Sequence, residues 1–298
     1  MLTLKDKIIL FPLWLLTKLP LRFLYYISDL LYLVTYYIVR YRRKIVFQNI
    51  NNSFPNKSEK ERRIIIRKFY HYLCDYFVES IYMINMDLEE CNRRYSFENP
   101  EVIERLSADK KNIILATSHF GNWEWASNLS VHIPYEILGI YRPLSNKIFD
   151  RLFIHIRGKY GSLPFPMSKT LRVVKDYLNN EKLFALYLVS DQRPGLEDLS
   201  FWTNFLNQET PVITGTERLA KKYNLAVVFL EIDRIKRGYY KIYYRLITDN
   251  PKLEVPNGIN EKYIRKVEEM IYSKPELWLW SHNRWKYTPE EYKPKIKI

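Results

Sequence analysis

A histidine and a glutamate stand five positions apart just after an apolar run. The run covers residues 112–117, and His119 and Glu124 follow it with Gly121 between them. If a helix begins near residue 121 or 122, Glu124 lies in its first turn and can hold one ring nitrogen of His119. The other nitrogen is then free to act as a base on a substrate hydroxyl. The alternative is a structural histidine packed among its aromatic neighbours.

Two further groups of polar residues follow apolar runs. Arg142 comes directly after residues 136–141, and its guanidinium suits phosphate or carboxylate, with Arg151 further along to assist. Asp191 and Gln192 follow the run at 183–189, in the place where α/β proteins bind ligands. The alternatives are a solvated arginine and a turn in which Asp191 accepts backbone N–H groups.

The elements around these residues alternate between short apolar runs and helical patterns. This alternation predicts an α/β domain with a mixed sheet flanked by helices. Residues 58–61 match a capping box that opens a helix running to about residue 86. Further strands are predicted at 112–117, 136–141, 183–189, 226–232 and 239–247, and helices at 122–132, 146–156, 168–180, 210–223 and 260–273.

The N-terminal region is apolar but interrupted. Residues 8–39 carry Lys18, Arg22 and Asp29 and two prolines, and a basic cluster follows at 40–44. Three interpretations fit: a tilted span with charged side chains reaching the surface, a helical hairpin in the membrane interface, or a buried helix pair. We predict membrane attachment, with residues 1–44 as a membrane-anchoring helical segment, residues 45–298 as the catalytic domain and 293–298 as a solvated basic tail.

The amino-acid composition narrows the classes of partner that the protein is expected to bind. Lys and Arg number 47 against 33 Asp and Glu, a net charge of +14, which favours an anionic partner. Aromatic residues make up 16%, and such rings suit membrane interfaces. The two cysteines have no zinc or disulfide spacing, and no dinucleotide or phosphate-loop motif is present. Nucleic-acid binding is not predicted, because no recognisable binding module accompanies the charge.

Six segments, taken in their order along the chain, resemble the late acyltransferases of lipid A biosynthesis, a branch of the lysophospholipid acyltransferase superfamily. The most telling is His119-Phe-Gly-Asn-Trp-Glu124, which matches the H-x4-D/E motif of that superfamily. The resemblance covers nearly the whole chain and begins with the apolar N-terminus. The other segments are 42–55, 141–143, 190–192, 214–220 and 275–286.

The resemblance implies a glycerolipid acyltransferase-like fold and an enzyme of the bacterial inner membrane whose catalytic domain faces the cytoplasm. It implies transfer of a fatty acyl chain from acyl carrier protein to a hydroxyl of a lipid A precursor, without a metal or dissociable cofactor. His119 is then the general base and Glu124 orients it. The predicted substrate-binding residues are Asn122, Arg142, Arg151, Asp191 and Gln192.

The acceptor stays open at this point. Residues 193–202 lack the aromatic-glycine continuation expected after Asp191 and Gln192. A lysophospholipid, an aminolipid or a polyene pigment is an alternative acceptor for the same site. The alternative of another class is a non-catalytic basic protein that binds anionic lipid at the membrane surface.

Overall fold

The structure is a computed structural model and describes residues 2–292, so the predicted tail at 293–298 lies outside the described residues. Eleven α-helices and nine strands are found in that range. The helices are α1 Leu4–Leu16, α2 Leu21–Leu33, α3 Arg43–Ser53, α4 Glu59–Tyr82, α5 Leu88–Arg94, α6 Glu101–Ala108, α7 Lys147–Arg157, α8 Thr170–Asn179, α9 Gly215–Tyr223, α10 Gly258–Ser273 and α11 Pro289–Tyr292. The strands are β1 Tyr95–Glu98, β2 Ile113–Thr117, β3 Glu136–Tyr141, β4 Leu163–Pro166, β5 Phe184–Val189, β6 Trp202–Phe205, β7 Gln208–Pro211, β8 Ala226–Lys236 and β9 Tyr239–Thr248.

Seven strands form one mostly parallel sheet in the order β1-β9-β8-β2-β5-β3-β4. Only the β8–β9 pairing is antiparallel within it, while β6 and β7 form a separate hairpin. The prediction of a mixed sheet flanked by helices is therefore confirmed. Every residue of β2 is buried, as expected for an apolar strand at the centre of a parallel sheet.

The three strands that precede the predicted site residues are neighbours. β2, β5 and β3 lie side by side and parallel, so their carboxyl ends meet at one edge of the sheet. His119 follows β2, Asp191 follows β5 and Arg142 follows β3. We call this edge the catalytic edge, after the role that the sequence predicts for these residues.

Helix α4 connects the N-terminal part of the chain to this edge. Its predicted capping box is confirmed: the Ser58 hydroxyl accepts from the Glu61 N–H, and the Glu61 carboxylate accepts from the Ser58 N–H. The helix ends at Tyr82 rather than near residue 86. Farther along it, the Tyr72 hydroxyl donates to the Gly121 carbonyl over 2.6 Å, so α4 contacts the loop that carries His119.

The N-terminal helices pack on the rest of the chain. α2 buries Leu21, Leu24, Ser28 and Tyr32, and the Ser28 hydroxyl donates to Asp75 of α4. Spacings of three and four residues place these four side chains on one face of α2, against α4. Most of the other apolar side chains of α1 and α2 are exposed, among them Ile8, Phe11, Leu15, Phe23 and Leu30.

α1 meets the segment Leu21–Ile38, which ends in a π-helical turn, at a bend of 103°. In residues 2–292, no single helix is long and apolar enough to cross a membrane. The bent pair satisfies the same criteria of length and composition when its two parts are taken together. The structure therefore shows a bent apolar helix pair resting on α4, and membrane attachment stays a prediction.

Two predicted helices differ in the structure. Residues 122–132 were expected to form an α-helix, but only Trp125–Val131 is helical, as a 3₁₀ helix. The Asn122 side chain accepts the Trp125 N–H and tightens this turn. Thr210 and Pro211, expected to start a helix, end β7, and α9 begins at Gly215. The short edge strands β1 and β4 were not predicted, because four residues give too little periodicity.

Candidate active site

The loop after β2 is held in a tight, non-helical path. Gly121 has φ +57°, and a Cβ atom there would lie 2.7 Å from a methyl carbon of Ile232, so glycine is required. The C-terminal segment pairs with this loop: Gly121 N–H donates to the Leu277 carbonyl and Leu279 N–H to the His119 carbonyl. His119 is thus fixed from both sides of its backbone.

His119 is paired with Asp191. Its Nδ1 lies 2.7 Å from Oδ1 of Asp191, and the histidine side chain is 20% exposed while the aspartate is fully buried. In the described residues, Nε2 of His119 has no hydrogen-bond partner. The predicted contact between Glu124 and His119 is wrong, because the turn after Gly121 directs the glutamate elsewhere and Asp191 takes that place.

Asp191 has a second donor and stays ionised. The indole N–H of Trp278 donates to its Oδ2 over 2.7 Å. Burial acts to raise the pKa of Asp191, but the charge of His119 and the hydrogen bonds from His119 and Trp278 bring it below its usual value. A buried carboxylate of this kind fixes the ring orientation and stabilises the imidazolium form of its partner.

Glu124 is bound by Arg157 of α7. The guanidinium donates to both carboxylate oxygens, from Nη2 over 2.6 Å and from Nε over 2.8 Å, and the Tyr76 hydroxyl lies 3.5 Å from one of them. Glu124 is 4% exposed and the Arg157 side chain 32%. Burial acts to lower the pKa of Arg157, but the glutamate charge raises it overall, so this is a charged, two-pronged pair.

Asn122 does not face solvent. It is fully buried, its amide nitrogen donates to Glu79 of α4 over 2.8 Å, and its amide oxygen accepts the Trp125 N–H. Burial raises the pKa of Glu79, which also accepts hydroxyl donors from Tyr25 and Tyr240. The structure thus makes Asn122 a support of the loop and corrects its prediction as a substrate-binding residue.

Arg151 is not at the site either. Its guanidinium donates to both oxygens of Asp6 in α1, over 2.6 and 2.7 Å. These hydrogen bonds hold the pKa of Asp6 well below its usual range. Arg151 therefore ties α1 to α7, because the carboxylate that it meets belongs to the N-terminal helix. This corrects the prediction that Arg151 binds substrate.

Arg142 and Gln192 do lie on the catalytic edge. Arg142 is exposed and is two strands away from His119, roughly 10 Å at the usual strand spacing. Gln192 is half-buried beside Asp191. The structure therefore brings His119, Asp191, Gln192 and Arg142 to one edge, and their predicted roles in binding substrate stay predictions.

Two supporting residues were missed by the sequence analysis. The Trp-rich segment, residues 275–286, contributes only to the resemblance in the sequence analysis, yet Trp278 donates to Asp191. The signal available was chemical, since a buried indole N–H needs an acceptor. Arg157 had no local signal, because its partner Glu124 lies on a different element and 33 positions away. In residues 2–292 no three His, Cys, Asp or Glu side chains form a group that could hold a metal ion.

Comparison with known proteins gives this arrangement a family. Residues 3–287 match the family described as bacterial lipid A biosynthesis acyltransferase. The chain belongs to this family. It is an acyltransferase, and the resemblance stated from the motifs is confirmed.

Individual relatives are distant but align over most of their length. A lipid A biosynthesis lauroyltransferase of Escherichia coli is 26% identical, over 93% of this chain and 90% of its own. The palmitoleoyltransferase of the same bacterium is 23% identical, over 93% and 89%. A lipid A biosynthesis acyltransferase of Haemophilus influenzae is 23% identical, over 86% and 81%. The relatives therefore differ among themselves in the acyl chain that they are named for.

Proposed function

We propose that this acyltransferase moves a fatty acyl chain from the thioester of acyl carrier protein to a hydroxyl of a lipid A precursor. His119 acts as the general base. The observation that carries the proposal is the His119–Asp191 pair at the catalytic edge, with a partly exposed ring on a fully buried carboxylate. A histidine held at Nδ1 presents Nε2 to a substrate, as proton transfer from a hydroxyl requires.

The chemical steps balance on this one side chain. Nε2 of His119 takes the proton of the acceptor hydroxyl while the oxygen attacks the thioester carbonyl carbon. The tetrahedral intermediate collapses, the carbon–sulfur bond breaks, and the imidazolium returns the proton to the carrier thiolate. Asp191 stabilises the imidazolium between these steps. The sequence analysis had given the supporting role to Glu124. No metal or dissociable cofactor takes part.

The net positive charge of the protein supports the proposal that both substrates are anionic. The protein carries +14 overall, and both an acidic carrier protein and a phosphorylated lipid would be drawn to it. Arg142 is an exposed cation that follows β3 on the catalytic edge, and we assign it to an acceptor phosphate. Gln192, beside Asp191, is the amide available to an acceptor hydroxyl.

The exposed apolar helices support a membrane location. Ile8, Phe11, Leu15, Phe23 and Leu30 are each between 44% and 66% exposed, an unusual density of large apolar side chains for a surface in water. We propose that α1 and α2 lie in the interface of the bacterial inner membrane, with the catalytic edge on the cytoplasmic side. A lipid acceptor then reaches the site without leaving the bilayer.

The decisive experiment is acyl transfer by purified His119→Ala protein. We expect a fall in kcat of about 10³-fold, because a general base contributes about 10²- to 10⁴-fold. His155→Ala on α7 is the matched control and should keep the wild-type rate. Wild-type transfer by a folded His119→Ala protein would refute the catalytic assignment.

The acceptor is tested separately. Mass spectrometry of lipid A from a strain lacking this protein should show the loss of one acyl chain, and an unaltered profile would refute lipid A precursor as the acceptor. Arg142→Ala should weaken use of a phosphorylated acceptor far more than hydrolysis of the acyl donor. An equal fall in acyl transfer and in donor hydrolysis would show that Arg142 does not bind the acceptor phosphate.

A further inference from the structure

A basic pocket lies where α1 bends into α2, away from the catalytic edge residues. It has a volume of about 420 Å³ and is lined by Lys18, Pro20, Leu21, Arg22, Tyr82, Glu90, Arg93 and Arg94. We call it the bend pocket. Four cationic side chains face one carboxylate, so the pocket carries an excess of positive charge. A volume of this size is in the range of small-ligand sites.

Two of the four cations are free to meet a ligand. Glu90 pairs with both Arg93 and Arg94, and the Arg94 Nε donates to it over 2.6 Å. Lys18 and Arg22 have no carboxylate partner within residues 2–292. Each instead lies over an aromatic ring, Lys18 over Trp14 at 3.9 Å and Arg22 over Phe23 at 4.9 Å.

The bend pocket is separate from the catalytic centre. Along α4, Tyr72 contacts the His119 loop, whereas Tyr82 lines the pocket. Ten residues of α-helix span about 15 Å. A ligand in the bend pocket would therefore lie too far from His119 to be the reacting hydroxyl or thioester.

The surroundings identify the kind of ligand. Large apolar side chains close to the pocket residues in the chain are exposed: Trp14 and Leu15 on α1, Leu19 in the bend and Phe23 on α2. An apolar rim with cations just behind it matches the boundary of a bilayer, where acyl chains meet phosphate groups. A soluble acidic protein would satisfy the cations but leave this rim in water.

We propose that the bend pocket binds the phosphate headgroup of an anionic membrane lipid, which fixes the depth and orientation of α1 and α2. Lys18 and Arg22 contribute the positive charges that have no carboxylate partner. Arg93 and Arg94, which pair with Glu90, line the rest of the pocket. This lipid is a bound neighbour and is not acylated. The site is independent of the proposed reaction, because it concerns binding to a bilayer.

The test is flotation of the full-length protein with vesicles of phosphatidylcholine alone or with added phosphatidylglycerol. Wild type should partition more strongly onto the phosphatidylglycerol vesicles. Lys18→Ala/Arg22→Ala should lower that partition coefficient by about 30-fold, the loss expected for two basic residues at an anionic surface. Glu90→Gln should raise it, since it releases two arginines.

The matched control is Lys110→Ala/Lys252→Ala, which removes the same charge. Both lysines are exposed at the opposite edge of the sheet, Lys110 in the turn before β2 and Lys252 in the short 3₁₀ helix Pro251–Leu253 after β9. This control should change the partition coefficient by less than twofold. Equal losses in the two double variants, or equal wild-type binding to both kinds of vesicle, would overturn the proposal.

Two further measurements separate the remaining outcomes. Inorganic phosphate at constant ionic strength should not release the protein, and release would make the pocket a site for free phosphate instead. Circular dichroism and acyl transfer in detergent should be unchanged in Lys18→Ala/Arg22→Ala. Because flotation does not need catalysis, the bend-pocket proposal and the proposed reaction can fail separately.

Discussion

Two buried carboxylates beside the loop after β2 have different partners, a histidine and an arginine, and this difference separates a pair that can take part in chemistry from one that supports the fold. Asp191 is fully buried and pairs with a histidine that solvent reaches. Glu124 is almost as buried but is held at both oxygens by an arginine. A histidine can gain and lose a proton near neutral pH, whereas a guanidinium cannot. The first pair can therefore transfer a proton, and the second can only hold its place.

The largest effect is expected from Asp191→Asn. The change keeps the size of the side chain but removes the charge that stabilises the imidazolium, so kcat should fall by about 10²- to 10⁴-fold. Steady-state acyl transfer measures it, with Asp176→Asn on the exposed face of α8 as the control. A fall of less than tenfold would show that Asp191 does not support His119.

Glu124→Gln should act first on stability. It leaves the Arg157 charge without its partner, and we expect the free energy of unfolding to fall by about 2 kcal/mol, less than for a fully buried pair. Urea denaturation measures this. Adding Arg157→Gln should recover part of the loss, since the stranded charge is then removed.

The same variant sharpens the comparison of the two carboxylates. If Glu124→Gln kept its stability but lost transfer as severely as Asp191→Asn, the glutamate would act on the substrates directly. The prediction made from the sequence, that Glu124 is catalytic, would then be restored by a route other than contact with His119.

Trp278→Phe tests the second donor on Asp191. Removing the indole N–H takes away one hydrogen bond to a charged group, and kcat should fall about tenfold. Trp280→Phe is the matched control, because the Trp280 N–H donates to the Pro275 carbonyl and not to Asp191. Equal effects of the two substitutions would indicate a loss of packing in the Trp-rich segment.

The smallest effect concerns His282, a half-buried histidine. Burial lowers its pKa to about 4, and its Nε2 accepts the Arg193 N–H over 3.3 Å. The unfolded chain binds the proton near pH 6.5 and the folded one does not, so stability falls as pH drops from 6.5 toward 4. Between pH 6.5 and 5.5 wild type should lose about 1 kcal/mol more than His282→Gln in urea denaturation. Parallel curves for the two proteins would contradict this.

The sequence predicted the parts of the fold that long patterns specify. β2, β3, β5 and the helix opened by Ser58 came from apolar runs and a capping box, and the strands carried His119, Asp191 and Arg142 to one edge by topology alone. The orientation of the side chains at that edge could not be predicted from the same patterns. Whether His119 meets Glu124 or Asp191 depends on a turn at Gly121 that the C-terminal segment enforces, and no local pattern contains that contact.

The same limit applies to Arg151 and Asn122. Each is a plausible ligand-binding residue by type and position, yet each is occupied by a partner far away in the chain, Asp6 and Glu79. A sequence shows which side chains could bind a substrate. It does not show which of them the fold has already engaged.

The pairing of the Trp-rich segment with the histidine loop also sets an order of events during synthesis. α1 and α2 leave the ribosome first and can settle on a bilayer, but Trp278 and Leu279 are made long after His119 and Asp191. Folding that proceeds from the N-terminus therefore leaves the proposed acyl-transfer centre unfinished until late. A nascent chain that is already on the membrane would therefore stay inactive until Trp278 and Leu279 are in place.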